Sequence, residues 1–356
     1  MMKKPTSTDV ARLAGVSQTT VSLVLGGHLN SSIPEETRER VIRAAEELGY
    51  RLPARRKSGV PRGGSRMLLL LVPTLTNQYY TDLARLVEDY AESLNFQVVV
   101  CNTFRRPELE RQYLETFTDS LAAGVIYTFL PSFPREADLL SRRVPTVIIG
   151  EKHSSLEICS IELSNVLAGS LLARHLLDLG HRKMVFISTP FNQLTLARGQ
   201  RLEGIRQQLS EAGLKDSLEV LAEEPSREAD RQDDMPYEYS VGRQLTAGLL
   251  DRGTEATALI GVNDMTALGI LDELRSRGLR VPEDFSVCGF DNIFPSRLET
   301  LGLTTIDHQM ALRCREAVSM ILAQRSGSPL PAPHKIEYAP RLVIRRTTGP
   351  VPVRAE

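Results

Sequence analysis

The sequence predicts an N-terminal all-α module joined to an α/β core of two doubly wound parallel-sheet lobes. Three observations predict it. Residues 8–49 place apolar side chains at helical spacing, interrupted by Gly-containing breaks. From Met67 onward, continuous apolar runs alternate with amphipathic stretches, as strands buried on both faces alternate with helices. That alternation runs twice, over about 67–163 and about 164–307. The 356 residues allow two or three domains, and 42% apolar with 24% charged residues is ordinary for a folded globular chain.

In the first module, Thr8–Ala14 carries Val10, Leu13 and Ala14 at i, i+3 and i+4, the pattern of a short amphipathic helix. Gly15 follows, where a sharp helix-ending turn needs positive φ. Ser17 fits the N-cap of a second helix, with Val16 and Val21 as a hydrophobic staple around it. Val21, Val24 and Leu25 form that helix's apolar face, and Gly26-Gly27 stops it. A third helix starts near Pro34, with Glu35 and Glu36 in its positive first turn. Val41, Ala45 and Leu48 form its inner stripe, and Gly49 ends it. Helix, Gly-containing turn, helix is the helix-turn-helix arrangement, whose second helix enters the DNA major groove by its N-terminal end. The competing reading is a small helical bundle without DNA. The outer face of the second helix separates the two. Ser17, Gln18, Thr19 and Ser22 are hydrogen-bonding groups suited to base edges and phosphates.

The net charge of −1 hides an asymmetry. Residues 1–66 hold 12 Lys and Arg against 6 Asp and Glu, while the other 290 residues hold 31 against 38. A basic end on an acidic body suggests a polyanion-binding module attached to something else. Residues 51–66, RLPARRKSGVPRGGSR, have almost no apolar content and read as a basic linker. Arg55, Arg56 and Lys57 are its candidate phosphate contacts; the alternative is a solvated tether.

In the core, MLLLLV from Met67 reads as a central strand, then Leu83–Leu94 as a helix and QVVVC as a strand. Arg111–Ser120 reads as helical, with GVIYTFL and VPTVIIG as strands. The cycle resumes with Ala168–Leu179, strand KMVFIS, helix Leu202–Ala212 and strand ATALIGV, then helix Met265–Arg277 and strand FSVCGF. Two such lobes leave a cleft at the carboxyl ends of their strands, where a small ligand binds.

Several classes are excluded. No apolar run approaches the ~18 residues of a transmembrane helix, and no apolar segment follows the basic start, so neither membrane insertion nor secretion is expected. Cys101, Cys159, Cys288 and Cys314 are far apart and read as small buried hydrophobes of a cytoplasmic protein. The six histidines lack metal-ligand spacing, and no cofactor motif is found. His181, in Leu179-Gly180-His181-Arg182-Lys183, reads as structural rather than as a base.

The stretches DVARLAGVSQTTVSLVL and PEETRERVIRAAEELGY closely resemble the DNA-binding domain of the LacI/GalR family of bacterial transcriptional regulators. Pro73 with Asn77-Gln78-Tyr79-Tyr80, Arg201-Leu202-Glu203-Gly204, VNDMTALGI, VPEDFSVCGFDN, LTTI and RLVIRRTT extend the likeness over nearly the whole chain. The resemblance implies a headpiece over 1–50, a hinge over 51–66 and a periplasmic-binding-protein-like core over 67–356. It implies a first lobe of about 67–163 plus 308–337, and a second of about 164–307 plus 338–347, with three chain crossings. It further implies a homodimer on a near-palindromic DNA operator, associated with the nucleoid and responsive to a small-molecule effector, a sugar or a derivative. Thr8, Ser17, Gln18, Thr19, Ser22 and Leu23 would contact DNA. Tyr79, Tyr80, Arg201, Tyr237, Asn263, Asp264 and Asp291 would contact effector. Tyr237 is the implied stacking aromatic, with Tyr239 as the slipped alternative, and Asn263 or Asp264 lies toward the hinge.

Departures from the family pattern bear on both functions. Leu23 stands where many members carry a base-reading Arg; it touches a thymine methyl or packs. Ser164-Asn165 replaces the usual Asp-Asn, and Gly150 followed by Glu151 replaces the usual Asp. The chain has no Trp, a frequent sugar platform. Gly59 stands where the family's minor-groove Leu is expected, leaving Val60 as the apolar candidate. The competing function is a solute-binding protein or sugar-handling enzyme on the same core. The absence of a signal segment opposes the first, and the absence of a nucleophile elbow, phosphate-binding Gly loop or metal cluster opposes the second.

Overall fold

The computed structural model describes residues 5–25, 33–50, 65–117, 121–191, 196–224, 235–326 and 334–352. The linker candidates Arg55, Arg56 and Lys57, together with Gly26-Gly27, Gly59 and Val60, lie outside the described residues.

The N-terminal module holds α1 (Ser7–Ala14), α2 (Gln18–Leu25) and α3 (Glu35–Glu47). Thr6 starts α1 through a capping box with Asp9, and Gly15 ends it at φ 66. Ser17 Oγ accepts from the Thr20 backbone N–H at 3.0 Å and so caps α2. Val10, Val21 and Val41, one from each helix, are fully buried together. Leu13 is a correction to the sequence reading: it is 48% exposed, and Ala11 takes its place in the α1 interface. The inner stripe of α1 is therefore Val10, Ala11 and Ala14, one position round the helix.

The core begins with β1 (Met67–Val72), the second strand in from one edge of a six-stranded sheet ordered β11-β5-β4-β3-β1-β2. Its members are β2 (Gln97–Asn102), β3 (Ala122–Tyr127), β4 (Thr146–Ile149), β5 (Cys159–Leu163) and β11 (Lys335–Tyr338), all parallel. Alternation along β1 divides the core. Leu68, Leu70 and Val72 pack under α4 (Gln78–Ser93) and α11 (Met310–Arg325), while Leu69 and Leu71 pack on the face of α5 (Pro107–Phe117) and α6 (Pro134–Ser141). A second sheet, β7-β6-β8-β9, is built from β6 (Met184–Ser188), β7 (Leu218–Ala222), β8 (Ala258–Gly261) and β9 (Ser286–Cys288). Met184 and Phe186 of β6 face α7 (Asn165–Asp178) and α8 (Leu196–Glu211). Val185 and Ile187 face α9 (Tyr237–Asp251) and α10 (Asp264–Ser276).

The chain passes between sheets after β5, after β10 (Thr305–Asp307) and between β11 and β12 (Arg341–Val343). β10 pairs antiparallel with β12 and touches the end of β9 through bridges at Cys288–Thr304 and Asp291–Asp307. Several helices start earlier than their apolar period indicates. Asn77 Oδ1 accepts from the Tyr79 backbone N–H at 3.0 Å, so α4 starts at Gln78 rather than Leu83. The apolar pattern does not mark the segments forming α6, α9, α11, β5, β7, β10 and β11 as elements, whereas the return of the last segment as a strand, implied by the family resemblance, is β12. His181 is fully buried, with Thr257 Oγ1, Ser286 Oγ and the Gly349 carbonyl around its ring. It ties the start of β6 to the C-terminal segment, and burial lowers its pKa. All four cysteines are buried and free.

α7 and α8 cross at two glycines. A Cβ on Gly204 would collide with the backbone carbonyl of Val166, and one on Gly169 with that of Arg201. Gly204→Ala must therefore push the two helices apart, and overpacking of this kind costs about 1–3 kcal/mol. Its thermal midpoint should fall, because backbone rather than a flexible side chain is in the way; an unchanged midpoint would mean that the helices separate freely.

Candidate functional site

The carboxyl ends of strands from both sheets face one another across a cleft of about 140 Å³. A cavity of roughly 150 Å³ accommodates a benzene-sized ring, so the cleft suits a ligand built around one six-membered ring. The first lobe contributes Asn77, Tyr79 and Tyr80 from the start of α4, Phe129 after β3 and Glu151 after β4. The second contributes Arg201 from α8, Glu238 from α9, Asn263 after β8 and Asp291 after β9. His308 and Arg313 enter from the second chain crossing.

Arg201 is the centre of the second-lobe wall. It is 8% exposed; Nε donates to Asn165 Oδ1 at 2.9 Å and one terminal nitrogen to the Val262 carbonyl at 2.6 Å. The other terminal nitrogen lies 3.4 Å from His308 Nε2 and 3.7 Å from Asp291 Oδ1. The guanidinium sits 4.8 Å from the ring centre of Phe290. Asn165 in turn donates to Glu151 and to the Leu163 carbonyl, so the Asn165 that follows Ser164 links a carboxylate of one lobe to the arginine of the other. Burial holds the Asp291 carboxyl well above the usual range, although Arg201 pulls it down. Burial pushes the His308 imidazole well below its ordinary value, and Arg201 and Arg313 add to that, leaving it neutral at pH 7. Tyr79, pushed up to about 12 mainly by burial, remains a hydroxyl donor. Asp291 has φ 131 and Asn292 φ 56, non-glycine backbone of a kind that costs about 1–3 kcal/mol each. The Asp291 N–H donates to the Ile306 carbonyl at 3.0 Å, which pins this loop to β10.

Glu238 connects the lobes across the cleft. Its Oε1 accepts from Asn77 Nδ2 at 3.2 Å and pairs with Arg105 at 3.3 Å. With the carboxylate only 3% exposed, these bonds act in a low-dielectric setting.

The structure brings Tyr79, Tyr80, Arg201, Asn263 and Asp291 to one cleft. Two other candidates are corrected. Tyr237 opens α9 but does not line the cleft; its hydroxyl donates to Glu223 at 2.6 Å, and the adjacent Glu238 faces inward instead. Tyr239 points to Asp272 on the surface. Asp264 is fully buried behind the wall, accepting from the Ile293 N–H, Ser296 Oγ and Thr305 Oγ1. It organises the β9–β10 loops, while Asn263 caps α10 at the cleft edge. Sequence reasoning missed Asn77, Arg105, Glu238, His308 and Arg313 as cleft residues. Asn77 had a signal, as an Asn before a helix, and Arg105 follows the expected strand QVVVC, but Glu238, His308 and Arg313 lie on segments whose fold the apolar pattern did not reveal.

In the headpiece, Thr8, Ser17, Gln18, Thr19 and Ser22 are exposed, and Leu23 is half-buried. Gln18 Nε2 donates to Ser7 Oγ at 2.8 Å, bridging α2 to α1 across the turn.

A helix-turn-helix followed by a two-lobed ligand-binding core defines a ligand-linked regulator architecture. Residues 6–52 match the model for bacterial regulatory proteins of the lacI family, and 173–348 match a periplasmic binding protein-like domain. The HTH-type transcriptional regulator DegA of Bacillus subtilis is 29% identical over 98% of this chain and 99% of its own length. The HTH-type transcriptional repressor PurR of Mannheimia succiniciproducens is 30% identical over 95% of this chain and 97% of its own. A transcriptional regulator CelR–cellobiose complex superposes with a TM-score of 0.68 at 25% identity, over 96% of this chain and 99% of that one. The chain belongs to the LacI family of bacterial transcriptional regulators. It is a DNA-binding regulator and not an enzyme. No described helix is long and apolar enough to cross a membrane.

Proposed function

We propose that this regulator binds a near-palindromic operator as a homodimer and represses genes of carbohydrate uptake or catabolism. A small molecule in the interlobe cleft, a sugar or a derivative, modulates its affinity. The cleft carries this reading: Arg201, Asp291, Asn165 and Tyr79 converge from both lobes on a ring-sized volume. A ligand there shifts the lobe equilibrium only by its differential affinity for the two arrangements. Bonds such as Asn77–Glu238 set the ligand-free lobe equilibrium, and a ligand that touches both walls of the cleft supplies that difference. The relative solved with cellobiose supports the sugar class.

On DNA, Gln18 and Thr19 read bases from the first turn of α2. Thr8, Ser17 and Ser22 contact phosphates or base edges, and Leu23 packs or meets a thymine methyl. Arg55, Arg56 and Lys57 add phosphate contacts, so affinity falls steeply with salt. The test is selection of binding sites from randomised duplexes. Gln18→Ala should relax preference at one symmetric pair of positions, since a bidentate Gln–adenine pair discriminates by about 1–3 kcal/mol. An unchanged site profile would remove Gln18 from base reading and leave it as the bridge to Ser7.

A further inference from the structure

We infer that the cleft ligand carries a carboxylate, a sugar acid rather than a neutral sugar, and that Arg313 is the residue that selects it. This rests on the cleft being the effector site.

Arg313 stands in the first turn of α11, on the chain crossing from β10. It is 2% exposed and lines the cleft. One terminal nitrogen donates to the Ile161 carbonyl at 3.1 Å and the other to the Tyr79 hydroxyl at 3.4 Å. Both acceptors are neutral, and Nε is buried with no hydrogen-bond partner. Among the described residues no carboxylate lies within ion-pair distance of this guanidinium, while Arg201 has Asp291 at 3.7 Å and Arg105 has Glu238 at 3.3 Å. The opposing charge of Arg313, the buried Glu151 carboxyl that it pulls down, lies beyond ion-pair distance, so the guanidinium can still take a closer carboxylate. Beside it His308, buried and neutral, has an unpartnered Nδ1 and supplies no compensating charge.

The cleft carries an excess of positive charge. Arg105, Arg198, Arg201 and Arg313 line it against Glu151, Glu238 and Asp291, an excess of at least one, since burial raises the Glu151 and Asp291 carboxyls. An anionic ligand offsets that excess and a neutral sugar does not. The planar guanidinium fork matches a carboxylate in two-point geometry, and Asp291 and Asn165 remain for ring hydroxyls.

The test is a thermal-shift series on the full chain with D-glucuronate, D-galacturonate and D-gluconate. The comparison arms are the neutral parents D-glucose, D-galactose and D-sorbitol, and D-glucose 6-phosphate. At least one acid should raise the midpoint at concentrations where its neutral parent does not. In Arg313→Met that shift should disappear, with the ligand-free midpoint held or raised because a buried charge is removed. Arg313→Lys, which keeps the charge without the fork, should weaken the acid by about tenfold or more. A neutral sugar matching or exceeding every acid would overturn the inference while leaving the cleft as effector site. A shift by the phosphate alone would likewise overturn it. No shift by any acid in the series would overturn it, and no ligand acting through the cleft at all would remove the effector reading beneath it. A ligand-free midpoint that drops sharply in Arg313→Met, with the acid shift retained, would make Arg313 a structural residue and overturn its assignment as selector.

Discussion

Removal of residues 1–66 should abolish operator binding altogether while leaving cleft ligand binding intact. The deleted segment contains the whole three-helix core around Val10, Val21 and Val41, and its excess of positive charge. Neither sheet loses a strand, since β1 starts at Met67. Specific operator affinities exceed non-specific ones by about 10³–10⁷-fold. A full-length preparation and the truncated core, compared by fluorescence anisotropy on one operator, should differ by at least that span. Retention of specific binding by the core would move DNA reading out of the headpiece.

The second large effect is expected in the cleft. Asp291→Ala should lower ligand affinity by about a hundredfold or more, since hydrogen bonds to charged groups contribute about 1.5–3 kcal/mol each and a ring diol takes two. Arg201→Ala should be worse in a second way. It strips Asn165 and the Val262 carbonyl of their donor and leaves Asp291 buried without its neighbouring cation. Breaking one side of such a buried pair costs roughly 3–5 kcal/mol, so this variant should also melt earlier, and by more than Asp291→Ala, which leaves Arg201 its bonds to Asn165 and the Val262 carbonyl. Both lie in the second lobe, away from the headpiece, so ligand-free operator affinity should survive in Asp291→Ala. Calorimetry and melting on the two variants separate the ligand contact from the structural one.

Those two residues were legible in the sequence because each ends a recognisable apolar run or sits in a familiar segment. Asp291 follows FSVCGF, and Arg201 precedes the apolar stripe of α8. What was not legible has a common cause. The first turns of α4 and α8 face the cleft rather than the core, so their residues lack the apolar period by which a helix is found. Glu238 illustrates this. It sits one residue from Tyr237 in the first turn of α9, and only the helix's rotation decides which of the two faces inward. Arg313 is harder still, because a charged residue on a helix reads as a solvated face until burial is known. Leu13 erred in the opposite direction: its spacing suited a core position, but Ala11 allows the closer approach of α1 to the other helices.

One measurement joins the two functions. Any compound that raises the thermal midpoint of the full chain, and fails to do so in Asp291→Ala, is titrated into the protein–operator complex. Because coupling between sites is reciprocal, it should change the operator dissociation constant by about 5–150-fold in one direction. The same compound should leave Asp291→Ala bound to DNA as before. An operator affinity unmoved by a compound that demonstrably occupies the cleft would contradict the proposal that this cleft governs the headpiece.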